Sequence, residues 1–180
     1  MNPQEYKEGL EILLAEKSRE KVGNMQPIHE AACYELFFKK AKEIVRVFSD
    51  KNLDYVFSTE GINPGISPYA SLHEALSRFV RVRFLVNAEI GAKSEFLNKA
   101  VDYGYPSLHV AYFDMNDVGG EKMAKSFMVM DKTAYRFEDA KDERNCFVRM
   151  YHPEEAKKLI SAFDRKWNSS KILNLERARS

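Results

Sequence analysis

The chain has 180 residues, of which 44% are apolar and 31% are charged, and its 28 basic and 27 acidic side chains leave a formal net charge of +1. This composition is that of an ordinary soluble globular protein, and it excludes a disordered or fibrous chain. The small net charge also provides no overall field that would attract nucleic acid or an anionic membrane, although a local basic patch could still do so.

The two cysteines, Cys33 and Cys146, lie far apart and lack the spacing of a metal site. They predict two reduced core thiols, with an interstrand disulfide as the alternative. The sequence contains no run of 18 apolar residues, and its N-terminus lacks a basic segment followed by an apolar one. We therefore expect a cytoplasmic protein without a membrane segment, a metal or a cofactor.

The first predicted element is an amphipathic helix over residues 4–21, where Tyr6, Leu10, Leu13 and Leu14 recur at helical spacing. It ends before Gly23-Asn24, a pair that is typical of helix termination. We interpret residues 1–23 as a helical arm and residues 24–180 as one α/β domain.

Helical and strand patterns then alternate along the domain. A helix over residues 28–42 leads into a buried strand at 43–48, and the following segment, rich in turn-forming residues, contains Gly61, Pro64 and Gly65. Long irregular segments of this kind often carry function. The remaining elements are helices at 72–79 and 96–101, strands at 80–86, 107–113, 127–130, 135–137 and 147–150, and a last helix from Pro153 to Trp167.

These elements predict a mixed, mainly parallel sheet with helices on both faces. Strands separated by a helix of about a dozen residues favour parallel crossover connections. The turn at Asp131-Lys132 should add an antiparallel pair.

Several segments resemble the phospholipase D superfamily. The order of the last strands and helix, closed by "AFDRKW", is similar to the C-terminal half of such a domain, and "KAKEIVRVFS", "SRFVRVRFLVNA" and "SFMVMDKTAYRF" are similar to its opening junction, second strand and motif hairpin. The resemblance covers roughly residues 28–170 and implies a phospholipase D-like half-domain.

The resemblance also implies a lost active site. The family motif His-x-Lys-x4-Asp, with its acid aligned on Asp131, places Ala124 at the nucleophilic histidine and Ser126 at the phosphate-binding lysine. The family's Gly-Ser-x-Asn segment falls on residues 138–141, which read Glu-Asp-Ala-Lys. We predict no catalytic residue, and we expect the vacated cleft to contain Ser126, Asp131, His109, Ser58 and Thr59 as ligand-binding candidates.

Other constellations are incomplete. The helix pattern beginning at His73-Glu74 has Ser77 where a zinc-protease motif needs its second histidine. His109 has no evident partner for a catalytic triad, so it is either a packed imidazole or a pocket group. Arg78, Arg81 and Arg83 could contact phosphates, with Tyr103 and Tyr105 for stacking, but their alternation with apolar residues favours the polar face of a strand.

The sequence therefore predicts a noncatalytic phospholipase D-like domain that acts as a binding or regulatory module. The alternative is a phosphodiesterase or nuclease with a displaced active site, or an unrelated hydrolase that uses His109 and Asp131. We expect no enzymatic activity and a homodimer, because the resemblance implies that active relatives bring two half-domains together. A protein partner or a small anionic ligand would fit the vacated cleft, a membrane would not, and nucleic acid is disfavoured without being excluded.

Overall fold

The computed structural model describes residues 2–24, 26–58, 65–114, 124–142 and 144–172. Its helices are α1 (Pro3–Ala15), α2 (Pro27–Lys40), α3 (Asp54–Phe57), α4 (Pro68–Ser77), α5 (Ala88–Gly91), α6 (Glu95–Asp102) and α7 (Pro153–Ser169). Its strands are β1 (Val22–Gly23), β2 (Ile44–Ser49), β3 (Arg81–Asn87), β4 (Leu108–Phe113), β5 (Ser126–Met130), β6 (Ala134–Glu138), β7 (Cys146–Arg149) and β8 (Lys171–Ile172).

The strands form one mixed sheet in the order β1-β7-β6-β5-β2-β3-β4-β8. The pairs β2–β3 and β3–β4 in its centre are parallel, and each of these connections contains helices, as the crossover argument predicts. The strand β5 returns antiparallel to β2 and continues into the β5–β6 hairpin. The predicted α/β class, with its mixed sheet, is confirmed.

Two apolar cores lie on opposite faces of the sheet. The larger core joins the sheet to α1, α2, α3, α4 and α6, and contains Tyr34, Phe37 and Phe84. The smaller core lies under α7, where Phe163 and Trp167 pack with Phe127 and Leu85. Helices on both faces of the sheet are therefore confirmed.

The helix α1 is shorter than predicted. It ends at Ala15, and Lys17 follows with a φ of 52° while the backbone N–H of Ser18 donates to the carbonyl of Leu13. This left-handed residue closes the helix before its charged continuation. Tyr6 and Leu10 on α1 belong to the larger core, next to α2. The division into an arm and a domain stays a prediction.

No helix in the described part of the chain is long and apolar enough to cross a membrane.

Candidate functional site

Asp131, the predicted motif acid, lies at the turn of the β5–β6 hairpin. Its carboxylate accepts hydrogen bonds from the backbone N–H groups of Lys42 (3.1 Å), Glu43 (2.9 Å) and Ile44 (3.0 Å), at the start of β2. The residue itself has a φ of 52°, a conformation that Asp tolerates better than most residues. Asp131 therefore joins the hairpin turn to the α2–β2 junction.

Ser126 lies at the opposite end of β5, paired in register with Ser49. It is buried, on the face of the sheet that carries α2, and its hydroxyl accepts a hydrogen bond of 2.8 Å from Nη1 of Arg136. The same hydroxyl lies 3.3 Å from Oε2 of Glu138. The structure thus separates Ser126 from Asp131 by the length of β5.

Arg136 is the centre of a buried ion network beside Ser126. The guanidinium is 2% exposed; its Nη2 lies 3.0 Å from Glu138, its Nη1 lies 3.3 Å from Glu30, and its Nε donates to Asn24 at 2.7 Å. Burial alone would lower the pKa of Arg136, but the negative charge of Glu30, with further groups that include Glu138, raises it above its ordinary value.

A second cation completes this Arg136 network. Nζ of Lys51 lies 2.9 Å from Glu30 and 2.6 Å from Glu138, and the hydroxyl of Tyr55 donates to Glu30. Burial opposes the ionisation of Glu138, but hydrogen bonding and charge from Lys51 and Arg136 hold its pKa below the ordinary value. Two cations thus face two carboxylates, which is the pairing that buried charges require.

A cavity of about 310 Å³ opens beside the network. This volume is at the lower end of the range for small-molecule sites. Its lining consists of Asn24, Pro27, Glu30, Lys51, Tyr55, Lys125, Arg136, Glu138 and Cys146.

The thiols next to the network are poor nucleophiles. Cys33 and Cys146 are both free and buried. Burial raises the pKa of Cys33 to about 12, and burial likewise raises the pKa of Cys146. Since the thiolate is the reactive form, neither cysteine is prepared for covalent catalysis at neutral pH.

The other predicted ligand residues lie elsewhere. His109 is on β4, between Leu108 and Val110 of the larger core, so its side chain faces α7 on the opposite side of the sheet from Ser126. Ser58 lines a separate groove of about 680 Å³ with Phe96 and Tyr103. Thr59 lies outside the described residues. The structure does not bring the four described residues of this prediction, Ser126, Asp131, His109 and Ser58, into one cleft.

The remaining candidates of the sequence have structural contacts. Nδ1 of His73 lies 3.2 Å from the hydroxyl of Tyr105, and the hydroxyl of Ser77 donates to the backbone carbonyl of His73. Arg78 donates to Glu74 and to the carbonyl of Phe38, away from Arg81 and Arg83. Within the described ranges, no group of three His, Cys, Asp or Glu side chains could hold a metal ion.

Sequence reasoning missed Arg136, Glu30 and Lys51. The alternation Tyr135-Arg136-Phe137 is typical of a strand with one polar face, which predicts a solvent-facing arginine. A signal was present in α2, where Glu30 and Glu35 stand among apolar residues on all sides of the helix. A helix that is apolar all round is buried, so its carboxylates need buried partners.

The fold is phospholipase D-like, which confirms the resemblance seen in the sequence. The chain superposes on Nuc from Salmonella typhimurium, a phospholipase D family member, with a TM-score of 0.52 and 13% identity over 78% of this chain and 88% of that one. It superposes on NucT from Helicobacter pylori with a TM-score of 0.54 and 13% identity over 78% of this chain and 89% of that one.

A further similar structure is TrmBL2, an archaeal chromatin protein with a novel mode of DNA binding. The TM-score is 0.59 and the identity 14%, and the match covers 93% of this chain but only 61% of the TrmBL2 chain. No protein-family model matches the sequence, and no curated protein sequence matches it.

Proposed function

We propose that this protein is a noncatalytic phospholipase D-like domain that acts as a binding or regulatory module. The observation that carries the proposal is the position of Arg136. Ser126 stands where the family motif has its phosphate-binding lysine, and the hydroxyl of Ser126 is bonded to Arg136 inside a charge-paired network. A phosphodiester entering this place would meet two carboxylates and no unpaired cation of the network.

The described residues around Ser126 include no activated nucleophile, which supports the same proposal. Ala124, at the histidine position, has no group that could attack phosphorus. The nearby hydroxyl of Tyr55 is no substitute, because burial and the charge of Glu30 raise its pKa far above neutrality. The alternative, a displaced phosphodiesterase or nuclease site, would need a base and a nucleophile on one face, whereas His109 and Ser126 face opposite sides of the sheet.

The role of Ser126 and the neighbouring cavity in binding a small ligand is a further part of this proposal. The cavity has a suitable volume and the ammonium group of Lys51 at its wall, 16% exposed.

The free thiols of Cys33 and Cys146 suit a reducing compartment, and we propose that the protein acts in the cytoplasm.

A hydrolysis assay tests the noncatalytic proposal. We expect purified protein to release no nitrophenol from bis(p-nitrophenyl) phosphate in the absence or presence of added divalent metal, because no described group is an activated nucleophile. The His109→Ala variant serves as the control for the displaced site. Metal-free hydrolysis that scales with protein concentration and disappears in His109→Ala would overturn the proposal.

A further inference from the structure

We propose a second site, an oxyanion-binding site for a phosphoryl group, on the sheet face that carries α7. It is formed by Arg46 on β2, Arg83 on β3 and His109 on β4, which we call the basic row, with Arg81 beside it. This site lies on the opposite side of the sheet from the Arg136 network. The inference therefore does not depend on the absence of catalysis.

The strand register brings the basic row together. Arg46 pairs with Arg83, and Arg83 pairs with His109, so the three residues are direct neighbours across the parallel strands. Adjacent strands are about 4.8 Å apart, and like charges directly opposite each other destabilise a sheet. The like charges of Arg46 and Arg83 therefore repel each other across the strand pair, and a bound anion would relieve this repulsion.

The chain itself supplies little of that charge. Among the described side chains, the carboxylate of Asp164 contacts the row, with its Oδ1 3.4 Å from Nε of Arg46. Arg81, Arg83 and Arg46 thus outnumber the acid by two charges. The side chain of Arg46 is only 14% exposed, so solvent screens this imbalance incompletely.

Arg83 and His109 also have unused polar atoms. Nε of Arg83 and Nδ1 of His109 are buried without a hydrogen-bond partner. Such atoms are uncommon in folded proteins, and an ordered water or a bound ion is one way in which their hydrogen-bonding capacity is satisfied. Burial, with the charges of Arg46 and Arg81, lowers the pKa of Arg83, and burial, with Arg83 and Arg81, lowers that of His109.

Trp167 fixes the orientation of this site. The Arg83 guanidinium lies over the Trp167 ring at 5.1 Å, and the ring packs parallel to Phe163 at 5.5 Å in the smaller core. A guanidinium held on an aromatic face keeps its planar fork of donors available, and this fork matches the oxygens of a phosphate. The compact row suits one phosphoryl group, either a free phosphate or one phosphate of a nucleic-acid backbone.

Titration of the full chain with inorganic phosphate, and separately with a short single-stranded DNA, tests the site by calorimetry. We expect saturable binding of at least one probe, with a parallel change in the fluorescence of Trp167, the single tryptophan of the chain. Phosphate binding without DNA binding would identify a small ligand. Tighter DNA binding that falls steeply with salt would identify a nucleic-acid backbone.

Matched variants locate the binding. Arg83→Gln should weaken it by about tenfold or more, because it removes a charged donor fork, and Arg83→Lys should have an intermediate effect. Arg144→Gln removes the same charge from a side chain that is 89% exposed and should leave affinity unchanged. If Arg83→Gln fails to fold, Arg83→Lys and Arg46→Gln give the same comparison.

Two results would overturn the inference. One is the absence of saturable binding of both probes at millimolar phosphate and low salt. The other is an equal loss of affinity in Arg83→Gln and Arg144→Gln, which would indicate nonspecific attraction. If the noncatalytic proposal were wrong, the hydrolysis assay would detect it. The two binding results above do not measure hydrolysis, so the two failures are distinguishable.

Discussion

Arg136 lies at the centre of the buried ion network and is completely enclosed by its partners. It is 2% exposed and contacts Glu30, Glu138, Asn24, Ser126 and Cys146 through its three guanidinium nitrogens. Removing one partner of a buried ion pair leaves the other charge without compensation, and this loss usually exceeds the net value of the pair itself. The network therefore stabilises the fold mainly because each of its buried charges has an oppositely charged partner.

We predict that Arg136→Met lowers the free energy of unfolding by about 3 to 5 kcal/mol, because Glu30 and Glu138 lose a shared cation inside the protein. Urea denaturation followed by circular dichroism would measure the change. Arg144→Met, which alters an exposed side chain of the same type, is the control and should change stability by less than about 0.5 kcal/mol. An unchanged urea midpoint for Arg136→Met would show that Lys51 alone neutralises both carboxylates.

The sequence was informative about Asp131 and less so about Ser126. Asp followed by Lys between two apolar runs predicts a turn, and the β5–β6 hairpin turns there. The family motif, however, gives a spacing along the chain and not a distance in space. Because β5 is extended, residues 126 and 131 stand at its two ends, and their partners come from α2, β6 and the start of β2.

At the scale of elements, α7 is the helix whose packing is best defined by its sequence. Ala156, Phe163 and Trp167 form a buried apolar stripe at helical spacing, and Leu159 and Ile160 beside them are partly buried against the smaller core. Pro153 begins the helix, Glu154 and Glu155 lie in its first turn and Lys166 in its last, which matches the helix dipole. This one helix forms the cover of the smaller core.

Trp167→Ala should lower the free energy of unfolding by about 3 to 5 kcal/mol, since it removes a 7% exposed ring that packs on Phe163 and carries Arg83. Trp167→Phe keeps most of the apolar contact and should cost clearly less. Urea midpoints of the three proteins provide the comparison. Equal midpoints for wild type and Trp167→Ala would mean that the smaller core does not depend on this contact.

The long, periodic elements were predictable and the short ones were not. Each of the strands β2 to β7 and the helices α2, α4, α6 and α7 is long enough to contain a continuous apolar run or an apolar pattern with the period of its element. By contrast, β1 and β8 have two residues each, and α3 and α5 have four. Elements of this length are too short to show a hydrophobic period in the sequence. The strands β1 and β8 form by pairing with their neighbours β7 and β4.

The whole molecule separates two kinds of chemistry on the two faces of one sheet. The α2 face contains the balanced Arg136 network, and the α7 face contains the basic row, with Asp164 as the acid that contacts it among the described residues. A sequence read strand by strand gives the alternation of faces but not the register, and it was the register that placed Arg46, Arg83 and His109 side by side. Neither site could therefore be assembled from the sequence alone.

The last prediction concerns assembly. The resemblance implies that active phospholipase D relatives join two half-domains, and this chain supplies one, so we predict a homodimer. Large apolar side chains are available on its surface, among them Ile12, Phe79 and Tyr103, which are 57%, 80% and 60% exposed. The edge strand β1 is only two residues long, which disfavours extended strand pairing at this edge of the sheet and favours a contact between side-chain surfaces.

Light scattering at micromolar concentration would decide the assembly state. We expect a mass near twice the 20.8 kDa of the chain, and a concentration-independent mass of one chain would contradict the dimer. In that case α1 is the candidate for the covering element, and deletion of residues 1–22 should produce a dimer or an aggregate. Because Tyr6 and Leu10 are buried in the larger core, the truncated protein should also lose stability. The variant Ile12→Ser is the control, since it changes an exposed position of α1 and keeps these core contacts intact.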